Sequence, residues 1–204
     1  GTVAELFDRI VRDINYKEYI VEDDSEESAD RWENVQELKR LALEYDTRTI
    51  DDFLENVALI ADQDTLYWVN RQDGTVKKSN FNLGSDQVLA VGDQPWDIVV
   101  DGTSIYWTER GSGPGVGKVM KAPKGGGATV EIAAMQDGPR GIAVDDTHVY
   151  WVNQEEGAVR RAPIGGGAVE LMASQQEKPV NVAVDGTHVY WANSAGDTVM
   201  KVAK

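Results

Sequence analysis

The stretch Thr147-His148-Val149-Tyr150-Trp151 recurs unchanged as Thr187-His188-Val189-Tyr190-Trp191. Looser copies stand upstream as Thr103-Ser104-Ile105-Tyr106-Trp107 and Thr65-Leu66-Tyr67-Trp68, so the Tyr-Trp pair appears four times, at intervals of 39, 44 and 40 residues. A fixed period of this length is the mark of a repeat architecture, in which each unit buries its apolar face only against its neighbours.

Around each pair the pattern alternates with the period of a strand. Pro-x-x-[Ile/Val]-[Ala/Val]-Val-Asp precedes it at 95–101, 139–145 and 179–185. Strands such as Lys118–Lys121 and Ala158–Arg161 follow, then Ala-Pro-x-Gly-Gly-Gly at 122–127 and 162–167, then a fourth strand. Four short strands per unit of roughly 40 residues describe a β-propeller blade. Residues 65–204 resemble six-bladed propellers of the YWTD or NHL/TolB-like kind, with Tyr106-Trp107-Thr108-Glu109 nearest to the first motif. Labelled a to d, the strands run b-c-d, two whole blades, then a-b-c, which predicts 14 strands and a partial ring of about 3.5 blades. Asn56–Asp62 is open to two readings, the end of a helix or one further strand, because it also resembles Asn181–Asp185.

Residues 1–64 read differently. Val3, Leu6, Phe7, Ile10, Val11 and Ile14 form one helical stripe. The acidic run Glu22–Glu27 suits the start of a second helix carrying Trp32, Val35, Leu38, Leu41, Ala42 and Tyr45, and Thr49 caps a third with Ile50, Phe53, Leu54, Val57 and Ile60. The fold class expected is therefore α+β by segment, a small helical unit over 1–64 and an all-β partial propeller over 65–204. Arg31–Leu38, Ile50–Leu54 and Val57–Asp62 resemble the helical 2B region of UvrD/PcrA-type DNA helicases, without any of the nucleotide-binding motifs of those enzymes. A junction inside Asp62–Thr65 reads as a fusion, and a first residue Gly without Met suits a processed product.

Charge is divided unevenly. Residues 1–64 carry 7 Lys and Arg against 19 Asp and Glu, a net of −12 within the −15 of the whole chain. Such a segment repels DNA, and no cluster of cations offsets it, so nucleic acid is not expected as a partner. The absence of cysteine excludes disulfides and Cys-based zinc sites. No apolar run has the length of a membrane span, and Gly1–Ile10 lacks the layout of a signal peptide.

Four features invite chemical readings that the pattern overrules. Gly111–Lys118 places Ser112 and Val119 where a phosphate-binding loop requires Gly and a hydroxyl, so no nucleotide cofactor is expected. Asp101-Gly102, Asp145-Asp146 and Asp185-Gly186 occupy the same place in every unit and read as hairpin turns with positive φ, as do the Gly-Gly-Gly runs. His148 and His188 repeat beside those turns and read as scaffold. Trp68, Trp107, Trp151 and Trp191, of the Tyr-Trp pairs, read as packing between sheets and not as ligand-stacking rings.

Strand alternation sorts the connections onto two ends. The a-to-b and c-to-d turns share one end and are nearly constant, while the b-to-c loops and d-to-a connections share the other and vary. Loops held by a rigid frame are where binding is expected. On that variable end, at the start of the innermost strands, stand the candidate ligand-binding residues Trp96, Asp97, Arg140 and Asn181. The expected role is a non-catalytic scaffold for a protein or small-molecule ligand, self-associating as a homodimer to complete a ring. Two alternatives belong to other classes: a helicase accessory fragment that binds DNA, and a metal-dependent propeller hydrolase or lyase. For the second, Asp97 and Asn181 are the only good ligands, too few for a calcium site.

Overall fold

The computed structural model describes residues 57–62, 65–80 and 86–204. The helical reading of residues 1–56, with its helicase resemblance, lies outside the described residues. Four antiparallel sheets follow one another along the chain. The first comprises β1 (Val57–Asp62), β2 (Thr65–Asn70), β3 (Thr75–Asn80) and β4 (Asp86–Val91), and the second β5 (Pro95–Val100), β6 (Ser104–Glu109), β7 (Gly117–Pro123) and β8 (Val130–Gln136). The third comprises β9 (Pro139–Val144), β10 (His148–Asn153), β11 (Ala158–Pro163) and β12 (Glu170–Ala173). The last has three strands, β13 (Pro179–Val184), β14 (His188–Asn193) and β15 (Thr198–Ala203).

This makes 15 strands among the described residues, one more than the repeat count predicts. The addition is β1, which pairs with β2 from Val57↔Asn70 to Asp62↔Thr65. Val57 and Ile60 therefore belong to a strand, not to the third helix, and the sheets begin eight residues earlier than the expected boundary at Thr65. A three-residue spacing fits a helical stripe, but pairing with the Tyr67-Trp68 strand decides the state.

One rule governs how the sheets meet. On each, the register places Tyr and Trp of the pair on opposite faces. Tyr67, Val69 and Val76 of the first sheet pack on Ile98, Ile105 and Trp107 of the second. Tyr106, Val119 and Ile132 of the second pack on Ile142, Val149 and Trp151 of the third. Tyr150, Val152 and Val159 of the third pack on Val189 and Trp191 of the last. Every junction thus sets the Tyr face of one sheet on the Trp face of the next. Trp107 and Trp151 have no exposed surface, as packing between sheets requires.

Polar ties repeat with the same period. The indole N–H of Trp151 donates to Gln136 Oε1 at 2.9 Å and that of Trp191 to Gln176 Oε1 at 2.8 Å; Glu109 Oε1 serves Trp107 at 2.9 Å. Lys78 Nζ donates to the Lys124 carbonyl at 2.9 Å, and Lys121 Nζ to that of Ile164 at 3.1 Å, each reaching from one sheet to the next. Lys124 is paired with Asp62, and Lys204 with Asp145 at 2.5 Å.

The aspartate turns are correctly placed but built otherwise than the sequence suggests. None of Asp101, Gly102, Asp145, Asp146, Asp185 and Gly186 has positive φ. Instead the aspartate side chain organises the turn. Asp145 Oδ1 accepts from the N–H groups of Thr147 and His148, both at 2.8 Å, while Oδ2 accepts the Tyr150 hydroxyl at 2.8 Å. Asp101 and Asp185 repeat the arrangement with Tyr106 and Tyr190. The Gly-Gly-Gly runs do use the left-handed region, at Gly126 (φ 89°) and Gly166 (φ 85°).

These turns predict a pH dependence. Burial raises the Asp145 carboxyl, but the Lys204 ammonium, the two N–H groups and the Tyr150 hydroxyl outweigh it and hold the group well below the usual range. A folded-state value below the unfolded one, about 3.9, gives stability that is present above that pH and lost progressively as pH falls from it towards the lower folded-state value. The thermal midpoint of Asp145→Asn, followed by circular dichroism, is expected to be lower than the parent's at neutral pH and to fall less between about pH 6 and pH 3. Parallel slopes for the two proteins would refute the assignment.

The first strand of each sheet lies innermost. β5 lies against β1 and β9, and β9 against β13. Among the described residues β13 does not pack against β1 in this way, so the inner strands form an open arc. An incomplete ring would leave Tyr and Trp exposed at its ends, but Tyr67, Trp68 and Trp191 are not. They are 4%, 2% and 4% exposed, and only Tyr190 is half-buried.

Candidate functional site on the loop end

Backbone bonding confirms the two ends. At the constant end, the N–H groups of Lys124, Ile164 and Lys204 donate to the carbonyls of Thr103, Thr147 and Thr187, joining turns of one sheet. At the other, Gly92 donates to Gly74, Arg110 to Gln94, Gln154 to Gly138 and Ser194 to Lys178, so the variable loops and the connections between sheets share one surface.

Trp96, the second residue of β5, is the centre of that surface. Arg71, in the hairpin of the first sheet, holds its guanidinium carbon 3.6 Å from the indole centroid, and Arg140, the second residue of β9, holds its own at 4.1 Å. Arg110, at the end of β6, stands at 5.8 Å. Arg71 also donates from Nη2 to the Trp96 carbonyl at 3.1 Å. Guanidinium on indole is favourable through the ring quadrupole, more so when partly desolvated.

The remaining donors differ sharply in their occupation. Arg110 is paired with Glu155 at 3.3 Å. Arg140 has no ion-pair partner among the described residues, and its buried Nε has no hydrogen-bond acceptor. Burial, and then the neighbouring charge of Arg110, lower its proton affinity, partly offset by Glu155. The guanidinium stays charged nonetheless, because arginine keeps its proton far above neutral pH.

Asp97 has a framework role. Its Oδ1 accepts from the N–H of Ile98 at 2.9 Å and its Oδ2 from that of Ile142 at 3.0 Å, tying β5 to β9. Its own N–H donates to Thr108 Oγ1, which donates to the Arg140 carbonyl at 2.6 Å. Burial pushes its carboxyl above the usual range despite those N–H groups. Asn181 stands one sheet further on, exposed, with its backbone against Gly141. The structure thus brings Trp96 and Arg140 together, engages Asp97 with backbone, and leaves Asn181 apart. Arg71 and Arg110 were not among the residues singled out by sequence, although both hold one repeat position, three residues after the Trp of their sheet.

Beside Arg110 lies a cavity of about 490 Å³ lined by Gln94, Ser112, Asp137, Gly138 and Glu155 among others. Its wall includes Gly111–Pro114, part of the long hairpin between β6 and β7. Ser112 Oγ is bound to Asp93 at 2.7 Å, and the Gly115 N–H to Asp137 at 3.2 Å, so the hairpin is fastened to the connections between sheets. Among the described residues no group of three or more His, Cys, Asp or Glu could hold a metal ion, and His148 and His188 are engaged with Thr147 and Thr187. No helix among them is long and apolar enough to cross a membrane.

No family model matches the chain, and no curated protein does. Solved structures do. A chain of a nidogen/laminin complex aligns with a TM-score of 0.62 at 16% identity, over 72% of this chain and 59% of its own length. The computationally designed Ika4 protein gives 0.60 at 17% identity, over 73% of this chain and 91% of its own. A streptogramin B lyase gives 0.56 at 12% identity, over 72% and 54%. This chain therefore spans about three-fifths of the nidogen/laminin chain. At such identities the likeness concerns the fold alone, which is β-propeller-like.

Proposed function

We propose that the protein is a non-catalytic binding scaffold whose open row of sheets pairs with a second copy through the uncovered face of the last sheet. The observation that carries this reading is the Tyr face of β13–β15. Tyr-on-Trp contact buries Tyr150, Val152 and Val159 on the third sheet, whereas their counterparts Tyr190 and Ala192 are half-buried and Val199 is 79% exposed.

The same face carries both halves of the polar ties that join the other sheets. Lys201 holds the repeat position of Lys78 and Lys121, which donate to the following sheet, and Asp185 that of Asp62 and Asp145, which accept from it. A surface with both donor and acceptor is self-complementary, as a two-fold pairing of identical chains requires. Trp68 is buried, so the pairing runs through the Tyr190 face and not through a union of opposite ends.

Sedimentation equilibrium at micromolar concentrations tests it. The chain is expected at twice its mass of 22.4 kDa, and Val199→Asp at that mass alone. A parent that sediments as a monomer, or a variant that still pairs, would overturn the reading.

A further inference from the structure

We infer that Arg140 and Arg110, gathered at the Trp96 indole on the loop end, form a binding site for the carboxylate of an incoming ligand. The proposal rests on reading the variable loops as the binding surface, and it is independent of how copies pair.

Three observations converge. Within 6 Å of the Trp96 centroid stand three guanidiniums from three successive sheets, an arrangement that like charges oppose unless something holds them. The indole supplies part of that attraction and also fixes the planes of the stacked groups, so their edges remain to meet an acceptor. Of the two further from the ring's own backbone, Arg110 has Glu155, and Arg140 has no carboxylate among the described residues and a buried Nε without an acceptor. A buried donor left unpaired is costly, and a charged one more so. An arriving carboxylate would meet the terminal Nη groups of Arg140, which are not among its buried atoms, and supply an acceptor to the guanidinium there.

The class of ligand follows from charge and shape. Glu155 engages Arg110 while no carboxylate among the described residues engages Arg140, so one acidic group is what the cluster lacks. The guanidinium edge matches two coplanar oxygens, the geometry of a carboxylate. Glu155 meets Arg110 through one contact, Nη2 to Oε1 at 3.3 Å, with both side chains partly exposed, so that an exchange of carboxylates costs little. The cavity of about 490 Å³ beside Arg110 has room for the body of a small molecule or a side chain carrying the acid.

The test is a titration of the full chain with acetate, read by the Nε–Hε NMR resonances of arginine, against chloride at equal ionic strength and against inorganic phosphate. Acetate is expected to give saturating shifts of the Arg140 and Arg110 resonances that chloride does not give. Arg140→Gln is expected to abolish saturation at Arg110. Arg140→Lys, which keeps the charge and loses the fork, is expected to weaken acetate at least about tenfold. Shifts no larger than those of chloride, or saturation unchanged in either variant, would overturn the site. Tighter binding of phosphate than of acetate would overturn the carboxylate assignment. Dispersed backbone amide resonances in each variant establish that it is folded, and sedimentation reports separately on pairing.

Discussion

Replacing Trp151 by Ala is expected to lower the free energy of unfolding by about 3–5 kcal/mol, the range for truncating a core aromatic. Trp151 has no exposed surface and stands in the joint between the second and third sheets, against Tyr106, Val119 and Ile132. Its removal opens a cavity on a surface shared by two sheets, neither of which can close it without shifting its other strands. Part of the effect is polar, because the indole N–H donates to buried Gln136. Gln136 Oε1 keeps its second donor, Asn153 Nδ2 at 2.9 Å, so the loss is chiefly one of packing. Trp151→Phe should accordingly retain much of the stability. Urea denaturation of the three proteins measures this, and a change below about 1 kcal/mol for the alanine variant would mean that the ring does not hold the joint.

Gly141→Ala is expected to destabilise by roughly 1–3 kcal/mol, an overpacking effect that a substitution to the best helix former would not otherwise suggest. The reason is a close approach of two backbones. A Cβ at Gly141 would stand 2.6 Å from Asn181 Cα, 2.7 Å from the Val180 carbonyl oxygen and 3.0 Å from the Val182 nitrogen. These are main-chain atoms, so β9 and β13 must separate to admit a methyl group. The last sheet is held on one face alone, through Val189 and Trp191, and takes most of that displacement. Hydrogen exchange should therefore quicken in β13–β15 and remain unchanged in the first sheet; equal protection in parent and variant throughout would refute the close contact.

How far the fold could be read from the chain depends on what each residue answers to. The Tyr-Trp strands and the aspartate turns were legible because both are set by local alternation and recur with the period. Val57 and Ile60 were not settled, since three-residue spacing fits a helix and the decisive partner is the strand at Thr65–Asn70. The turn geometry was misread for a related reason: Asp-Gly suggests positive φ, but the Asp145 carboxylate bonded to Thr147, His148 and Tyr150 stabilises a turn that does without it.

The candidate site was legible in half. Trp96 and Arg140 were found by their place at the start of inner strands. Asp97 shares that place, yet its carboxylate answers to an N–H 45 residues away, and the sister positions Gly141 and Asn181 give no hint of it. Arg71 and Arg110 lie in the variable loops, whose sequences differ, although alignment of the repeats on Trp68 and Trp107 sets both at one position.

The joint between sheets has a direction, Tyr on Trp, and is the same at each of the three junctions among the described residues. A row built from one directional joint has a natural quantum of length. Excising residues 101–144 would join β5 to β10 within a single sheet and leave three sheets meeting through two joints of the familiar kind. Tandem duplication of the same segment would add a sheet and a joint. Cuts out of phase with the period would leave a strand without its sheet. Gain and loss of whole units by recombination is thus the mode of change that this architecture tolerates, and the number of sheets can vary between descendants while the chemistry of each joint stays fixed.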